Sequence, residues 1–164
     1  YKMALAFVFT SQGIPFMFAG DEMMRSKFGD RNSYKSPDVT NAIRWRSKDA
    51  QSELFAWCRE LIQLRRRFPV FRLHTAEEVR KALWFLPDND ETLIAYKLRS
   101  ETYSLYLFFN ALPKGRKVWL PSGNYLVLAR DGELSVSGLG KSCGGRVRVA
   151  PRSVLIMKRD ENHS

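Results

Sequence analysis

The sequence is poor in the residues that build disulfides and metal sites. It contains two cysteines and two histidines among 164 residues. Cys58 lies in a helical pattern and Cys143 in a glycine-rich stretch, so we expect a buried thiol and a loop thiol, not a disulfide. His74 and His163 each lack a second ligand at metal spacing, so no metal site is predicted. The glycine pairs lack a following helix of the phosphate-binding kind, and we expect no cofactor.

The sequence also lacks a long hydrophobic run. The most apolar stretch, Met3 to Ala19, is interrupted by polar residues, by Gly13 and by Pro15. It is shorter than the ~20 apolar residues that span a bilayer. The sequence therefore predicts no membrane partner.

Acidic residues are in deficit, because 27 lysines and arginines face 17 aspartates and glutamates, giving a net charge of +10. The bases are spread along the chain, and the densest run, Arg65 to Arg67, closes a predicted helix where the dipole favours cations. We expect this run to be a solvated helix end. Exposed aromatics between Lys and Arg on one sheet face would favour nucleic-acid binding. The strand patterns carry Leu, Val and Ile, which favours a buried core and no nucleic-acid partner.

The most informative stretch is GIPFMFAGDE, residues 13–22. A Gly-x-Pro corner leads into an apolar run, Ile14 to Ala19, which Gly20 and two carboxylates follow at once. A buried strand that delivers polar groups at its end is typical of a barrel strand. Lys2 to Gln12 has helical spacing, so the two segments predict the last helix–strand step of a (β/α)8 barrel. Because the chain starts at Tyr1 inside a helical pattern, we expect it to be a piece of a longer protein.

Two further helices and a loop are predicted before the β-rich region. Gly20 to Ala50 is a long polar loop, and its interleaved aromatics favour an ordered, functional loop. Apolar spacing predicts a helix from Ser52 to Arg67, which Pro69 ends. Thr75 and Glu78 form a capping-box pattern that predicts a short helix to about Ala82.

Short apolar runs separated by turn residues fill the rest of the chain, at intervals typical of an antiparallel sandwich. The predicted fold is α+β and mostly β. Residues 1–70 form the helix–strand–helix end of a (β/α)8 barrel, and residues 71–164 form an antiparallel β-sandwich. The predicted strands begin at Trp84, Thr92, Tyr103, Lys117, Asn124, Glu133, Arg146 and Ser153.

Taken together, GIPFMFAGDE, GDRNSYKSPDVTNAIRW, LFAWCRELIQLRRRFPVFR and VAPRSVLIM resemble the C-terminal part of α-amylase-superfamily glycosidases (glycoside hydrolase family 13). The loop is most similar to that of type I pullulanases, the α-1,6 debranching enzymes. The positions that carry this similarity are Asn32, Ser33, Tyr34, Ser36, Pro37, Asp38, Asn41 and Trp45.

The resemblance implies a retaining glycosidase acting on pullulan, starch or glycogen, with a carboxylate nucleophile, a carboxylic general acid and a third carboxylate. In the family these groups lie on strands before the segment present here, and the chain has no His-Asp pair. We therefore assign no catalytic residue to this chain and expect it to be inactive alone.

The loop after the last barrel strand lies on the active-site face, so the resemblance implies that it binds substrate. Asn32 and Tyr34 are the candidate subsite residues, with Asp30 or Arg31 near a hydroxyl. The structural alternative, in which Asn32 and Ser33 turn the chain and Tyr34 packs beneath it, has about equal weight.

The glycines and carboxylates around the predicted strand are expected to be structural. Gly13, Pro15, Gly20 and Glu22 are assigned to the barrel rim. Adjacent strand-end residues point in different directions, so Asp21 and Glu22 cannot form a catalytic pair. Glu22 is expected to accept hydrogen bonds from loop backbone or from an arginine.

The tryptophans are expected to have structural roles as well. Trp45 and Trp57 are expected to pack, while Trp84 and Trp119 are expected in the sandwich core or at its edge.

The expected partners are an α-glucan and the remaining barrel of the parent chain. Because an isolated barrel end would expose apolar surface, we also expect either that the chain self-associates or that the predicted strand docks elsewhere. The alternative function is a non-catalytic carbohydrate-binding or structural β-sandwich module. Catalytic strands encoded directly upstream would favour the enzyme.

Overall fold

The computed structural model describes residues 1–87 and 89–161. Within these residues the helices are α1 (Lys2–Thr10), α2 (Asp38–Asn41), α3 (Ser47–Ala50), α4 (Ser52–Arg67) and α5 (Ala76–Ala82), with 3-10 turns at Asp21–Met23, Ser33–Lys35 and Pro69–Phe71. The strands are β1 (Leu83–Phe85), β2 (Leu93–Arg99), β3 (Tyr103–Asn110), β4 (Arg116–Arg130), β5 (Glu133–Leu134), β6 (Gly140–Val149) and β7 (Ser153–Asp160). The chain divides into two compact units, which we call the β unit (residues 1–15 and 60–164) and the loop unit (residues 16–59).

The predicted helices are confirmed with small changes at their ends. Helix α1 ends at Thr10, two residues before the predicted end, and α4 has the predicted bounds. Helix α5 begins with the predicted capping box: the Thr75 side chain accepts from the Glu78 N–H, while the Glu78 carboxylate accepts from the Thr75 N–H. These caps satisfy donors that have no partner inside the helix. No helix in the described ranges has both the length and the apolarity to cross a membrane.

The predicted strand at Ile14 to Ala19 is not formed among the described residues. Residues 14–18 make no strand pairing, and the side chains of Ile14 and Phe16 are 96% and 85% exposed. An extended apolar segment becomes a strand only when a neighbouring strand takes up its backbone N–H and C=O groups. The segment is apolar, but it has no strand-pairing partner within the described residues.

An antiparallel sheet of seven strands dominates the β unit. Its strand order is β1-β2-β3-β7-β4-β5, and β6 pairs with β4. The β3–β7 pair runs without a break from Tyr103 opposite Asp160 to Asn110 opposite Ser153.

Strand β4 replaces two predicted strands, those beginning at Lys117 and Asn124. Its register against β6 shifts between Leu120 and Asn124, so a bulge absorbs the Pro-Ser-Gly segment that was predicted to be a turn. A side chain at Gly144 would lie 1.9 Å from the Pro121 carbonyl oxygen, so the bulge requires glycine there. Cys143 is correspondingly in strand β6 and exposed, not in a loop, while Cys58 is buried as predicted and both thiols are free.

The core of the β unit is built from side chains of this sheet, which fits the predicted β-sandwich. Large apolar side chains from β2, β3, β4, β6 and β7 form one cluster. Its members are Leu93, Ala95, Tyr106, Phe108, Val118, Leu120, Tyr125, Val127, Val147, Val149, Leu155 and Met157.

Helix α1 is docked on the sheet of the β unit by apolar and polar contacts. The ring centroids of Phe7 and Phe109 are 5.4 Å apart in an edge-to-face arrangement. The hydroxyl of buried Tyr96 donates to Thr10 Oγ1 at 2.9 Å, and the Gln12 amide donates to the Val70 carbonyl at 2.7 Å. The helix therefore has partners within this chain, which the sequence interpretation did not foresee.

Arg65 is buried, which corrects the expectation that the whole Arg65 to Arg67 run is solvated. Its guanidinium donates to the carbonyls of Phe9 (2.8 Å), Ser11 (2.7 Å) and Gly13. These carbonyls lie at the end of α1, where backbone acceptors lack helical partners. Burial, with Arg72 nearby, lowers the pKa of Arg65 from its ordinary value. A guanidinium remains charged under these conditions, so it acts as a fixed cap.

The loop unit contains only short helices and 3-10 turns before α4 begins. Trp45 is 69% exposed, contrary to the packing role expected for it, whereas Trp57 is buried as expected. Phe28 and Tyr34 are also exposed, by 66% and 73%. Polar side chains hold many of this unit's turns, and its buried apolar side chains are Met23, Leu54, Trp57 and Cys58.

Candidate functional site

The candidate substrate residues lie in one exposed turn of the loop unit. Asp30, Arg31 and Asn32 precede the 3-10 turn Ser33–Lys35, which contains Tyr34. All four of these side chains are exposed. The turn thus presents a carboxylate, a guanidinium, an amide and a phenol ring within five consecutive residues.

Asp30 shapes the turn with its carboxylate. It accepts a hydrogen bond from the Ser36 hydroxyl and one from the Asn32 N–H at 3.0 Å. The Ser36 bond, followed by the Asn32 bond, holds the pKa of the Asp30 carboxyl below its ordinary value. An ionised carboxylate can accept hydrogen bonds from sugar hydroxyls but cannot serve as a general acid.

Tyr34 projects its ring from the turn. Its side chain is 73% exposed, and Lys35 Nζ lies 5.3 Å from the ring centroid. The structural alternative, in which Tyr34 packs beneath the loop, does not describe this arrangement. An exposed ring can stack against the apolar face of a sugar.

The turn that follows Ala19 is built by Gly20 and two carboxylates. Gly20 has φ +101°, and a side chain there would come within 2.6 Å of the Arg25 side chain. Glu22 accepts from the Gly20 N–H at 3.0 Å, and Asp21 accepts from the Phe18 N–H at 2.9 Å. Each carboxylate is thus bound to local backbone, as a turn-forming group would be.

Two residues with no role assigned from sequence, Arg25 and Asn41, organise the loop unit. The Asn41 amide donates to the Ser33 carbonyl at 2.7 Å and to the Ser36 carbonyl at 2.6 Å. The Arg25 guanidinium donates to the Asn41 carbonyl and to the Ala19 carbonyl. Asn41 therefore fixes both ends of the turn that contains Tyr34. The Asn-x-x-x-Trp spacing marked this residue in the sequence without revealing its contacts.

Arg25 also lies over an aromatic ring. Its guanidinium carbon is 5.3 Å from the Phe18 ring centroid, and Lys27 Nζ is 5.4 Å from the same ring. The Arg25 Nε atom is buried without a hydrogen-bond partner among the described residues. Cations stacked on Phe18 help to keep this turn compact.

Gly13 and Pro15 belong to the β unit, whereas Gly20 and Glu22 belong to the loop unit. Gly13 has φ +84°, which favours glycine, and its carbonyl accepts from Arg65. Pro15 follows the exposed Ile14. The rim assignment of these four residues stays a prediction.

The described residues contain no cluster of three His, Cys, Asp or Glu side chains able to hold a metal ion. His74 lies among them, and His163 is outside the described residues. Burial, with the charges of Glu22 and Asp21, raises the pKa of the Cys58 thiol to about 11. A buried thiol with this pKa is a weak nucleophile at neutral pH.

Comparison with known proteins identifies a class of enzyme. No protein-family model matches the chain. Its homologues among curated proteins are pullulanases and isoamylases, debranching enzymes of glycoside hydrolase family 13. The resemblance to the α-amylase superfamily is therefore confirmed.

Two curated relatives illustrate the relationship. Pullulanase of Bacillus subtilis (strain 168) is 38% identical over 97 residues, which cover 59% of this chain and 13% of that protein. Isoamylase 1, chloroplastic, of Arabidopsis thaliana is 31% identical over 121 residues, which cover 68% of this chain and 16% of that protein. The chain thus spans 13–16% of the length of these two relatives.

Solved structures extend the similarity over nearly the whole chain. Pullulanase from Bacillus acidopullulyticus matches with a TM-score of 0.87 and 32% identity, over 96% of this chain and 20% of that one. Pullulanase from Paenibacillus barengoltzii, in complex with maltohexaose and α-cyclodextrin, matches with a TM-score of 0.81 and 34% identity, over 98% of this chain and 25% of that one. The fold of this chain is therefore that of a part of these enzymes.

Proposed function

We propose that this chain is the C-terminal part of a retaining debranching glycosidase that cleaves α-1,6-glucosidic bonds in pullulan, starch or glycogen. The observation that carries the proposal is the match to pullulanase from Bacillus acidopullulyticus over 96% of the chain at a TM-score of 0.87. In this proposal residues 1–70 close a (β/α)8 barrel and residues 71–164 form the β-sandwich beside it. The catalytic carboxylates then belong to preceding strands of the parent chain.

The exposed segment at residues 14–18 supports the barrel part of the proposal. Ile14 and Phe16 present apolar side chains to solvent at 96% and 85% exposure. Exposure of this kind marks a surface that is covered in a larger assembly. We propose that the segment becomes the last strand when the remaining barrel supplies a pairing neighbour.

The turn from Asp30 to Tyr34 is the proposed glucan contact of this chain. Its charged Asp30 carboxylate and the Asn32 amide offer hydrogen-bonding groups, while the Tyr34 ring offers a stacking face. Asn41 holds the turn through the Ser33 and Ser36 carbonyls. Preorganised groups of this type bind without a large loss of conformational entropy.

The proposal is tested by pullulan hydrolysis with the parent protein and with the 164-residue chain in parallel. Reducing ends released by the parent alone support it, because the catalytic carboxylates are placed outside this chain. Hydrolysis by the 164-residue chain would contradict that placement. Binding of α-glucan by the parent without hydrolysis would favour the non-catalytic module instead.

The role of Tyr34 is tested by Tyr34→Ala in the parent. We expect weaker pullulan turnover or binding, with a melting temperature within about 2 °C of wild type, as for a surface substitution. Val39→Ala, at another exposed apolar position of the loop unit, is the matched control and leaves turnover unchanged. If Tyr34→Ala and Val39→Ala have the same pullulan turnover and binding, Tyr34 does not contact the glucan.

A further inference from the structure

One face of the paired strands β4 and β6 carries three cations around a tryptophan. Lys117, Trp119, Arg146 and Arg148 are exposed and alternate with buried Val118, Leu120, Val147 and Val149. We call the four exposed residues the basic ribbon. Because strand side chains alternate between faces, all four point away from the core.

Two of the three cations of the basic ribbon lie directly opposite each other across the strands, and the third lies opposite the tryptophan. Lys117 is the register partner of Arg148, and Trp119 is the register partner of Arg146. Directly opposed like charges destabilise an antiparallel pair. Among residues 1–87 and 89–161, no carboxylate forms an ion pair with these three cations, whereas neighbouring Arg116 pairs with Asp90 at 2.5 Å. The ribbon thus keeps a repulsion that an anionic ligand would relieve.

The Arg148 side chain lies close to the backbone at Gly115. A side chain at Gly115 would lie 2.6 Å from Arg148 Nε and 3.0 Å from its Nη2. The absence of a side chain at Gly115 therefore lets the guanidinium lie against the turn before β4. A positioned guanidinium can bind a phosphate through two parallel hydrogen bonds.

Trp119 supplies an apolar surface beside these cations. Its side chain is 61% exposed, which leaves much of the indole accessible from solvent. A flat aromatic surface next to fixed cations fits a ligand with both an apolar face and an anionic group. A sugar ring bearing a phosphate monoester has both.

We propose that the basic ribbon is a second glucan-binding site, separate from the Asp30–Tyr34 turn, for α-glucan chains that carry phosphate monoesters. The glucan part of this assignment rests on the proposed function, and the phosphate part rests on the charge of the ribbon. A glucose ring stacks on Trp119, while Arg146 and Arg148 bind the phosphate. Non-specific sites for single-stranded nucleic acid stack successive bases on several aromatic rings, and the ribbon offers one.

The test measures binding of the 164-residue chain to phosphate-bearing amylopectin and to the same polymer after phosphatase treatment. Wild type should bind the phosphorylated polymer about tenfold more tightly at low salt, and about 0.5 M salt should remove most of that preference. Trp119→Ala should weaken binding of both polymers about tenfold, as loss of a stacking ring does. Arg146→Gln combined with Arg148→Gln should abolish the preference for phosphate.

Three controls make the outcome specific to the ribbon. Trp84→Ala removes another partly exposed tryptophan of the β unit and should leave binding unchanged. Arg99→Gln removes an exposed cation of β2 and should keep the phosphate preference. Tyr34→Ala should also keep that preference, which separates the ribbon from the proposed site in the loop unit. If Trp119→Ala does not fold, the double variant at two exposed cations still tests whether the ribbon causes the phosphate preference.

Equal binding of the two polymers by wild type, or unchanged binding in both ribbon variants, would overturn the proposal. The proposal would also be overturned if the chain bound a single-stranded oligonucleotide of about 12 nucleotides more tightly than phosphorylated amylopectin and the ribbon variants abolished that binding. The ribbon would then be a nucleic-acid site. Pullulan hydrolysis by the parent tests the proposed function separately. A parent that cleaves pullulan but does not prefer phosphorylated amylopectin would reject the ribbon alone.

Discussion

The β unit and the loop unit are held together by different forces. In the β unit, the buried side chains of five strands share one core, and neighbouring strands satisfy each other's backbone groups. In the loop unit, the turns between residues 18 and 41 depend on side chains that bind backbone carbonyls, chiefly Arg25 and Asn41. Large apolar side chains such as Phe16 and Phe28 remain exposed there.

This difference separates a unit with a large apolar core from one that leaves many of its large apolar side chains exposed. Buried apolar area is the main source of folding free energy, and the β unit obtains it from its own sequence. The loop unit fixes its turns with polar contacts and leaves apolar groups accessible. Binding residues are commonly placed on such loops, beside a rigid scaffold.

The largest expected effect comes from removing the Arg65 guanidinium from the β unit. Arg65→Met leaves the Phe9, Ser11 and Gly13 carbonyls without their donor, and we expect a loss of about 3 kcal/mol in the free energy of unfolding. Urea denaturation measures it. Arg66→Met, at the exposed neighbouring position, should change this free energy by less than about 0.5 kcal/mol. Similar values for the two variants would show that the buried cap does not stabilise the β unit.

A smaller and local effect is expected from Asn41→Ala in the loop unit. The variant removes both amide hydrogen bonds to the Ser33 and Ser36 carbonyls, so the turn should open more readily, by about 2 kcal/mol. Amide hydrogen exchange at Ser36, which donates to the Ser33 carbonyl, should become faster. Exchange in β3 should not change. Asn32→Ala is the control, and equal exchange at Ser36 in both variants would contradict the role given to Asn41.

The exposed apolar segment should promote self-association of the 164-residue chain with little effect on its stability. Ile14→Ser combined with Phe16→Ser should reduce the apparent mass in light scattering, because each removes an exposed apolar side chain. Phe85→Ser, at an exposed position of the β unit, is the matched control. A wild-type chain that stays monomeric and binds no hydrophobic dye would refute this expectation.

The smallest effect concerns the two thiols and leaves stability unchanged below pH 9. With a pKa of about 11, Cys58 is about 1% ionised at pH 9, and its thiolate fraction rises about tenfold per pH unit below pH 11. Iodoacetamide should therefore label exposed Cys143 first, and labelling of Cys58 should increase with pH. Mass spectrometry of the Cys143→Ser variant isolates Cys58. If iodoacetamide labelled Cys58 as fast as Cys143 at pH 8, the raised pKa of the Cys58 thiol would be contradicted.

The sequence predicted most of the regular elements because their signals are local. The capping box at Thr75, the helix ended by Pro69 and the strand beginning at Tyr103 all depend on neighbouring residues. The Ile14 to Ala19 strand could not be decided in this way, since pairing depends on a distant segment. The single strand β4 was missed because a bulge and a turn share the same Pro, Ser and Gly residues.

The loop that holds the candidate residues was predictable from the sequence, but the side chains that support its turns were not. The motif around Asn32 and Tyr34 indicated the turn. Arg25 and Asn41 bind backbone carbonyl groups of other segments of the loop unit. Because every residue has a backbone carbonyl, the sequence does not indicate which of them accepts a side-chain hydrogen bond. The same reason explains why Arg65 was assigned to solvent.

Strand β4 has one further consequence for how the β unit comes apart. The stretch from Leu126 to Ala129 pairs with β7 on one side, and Leu126 and Val127 also pair with β6 on the other. Detaching either neighbour exposes a β4 edge and opens the shared core. We therefore expect β4, β6 and β7 to exchange their amide hydrogens as one cooperative block, which forms late because its pairings join distant parts of the chain.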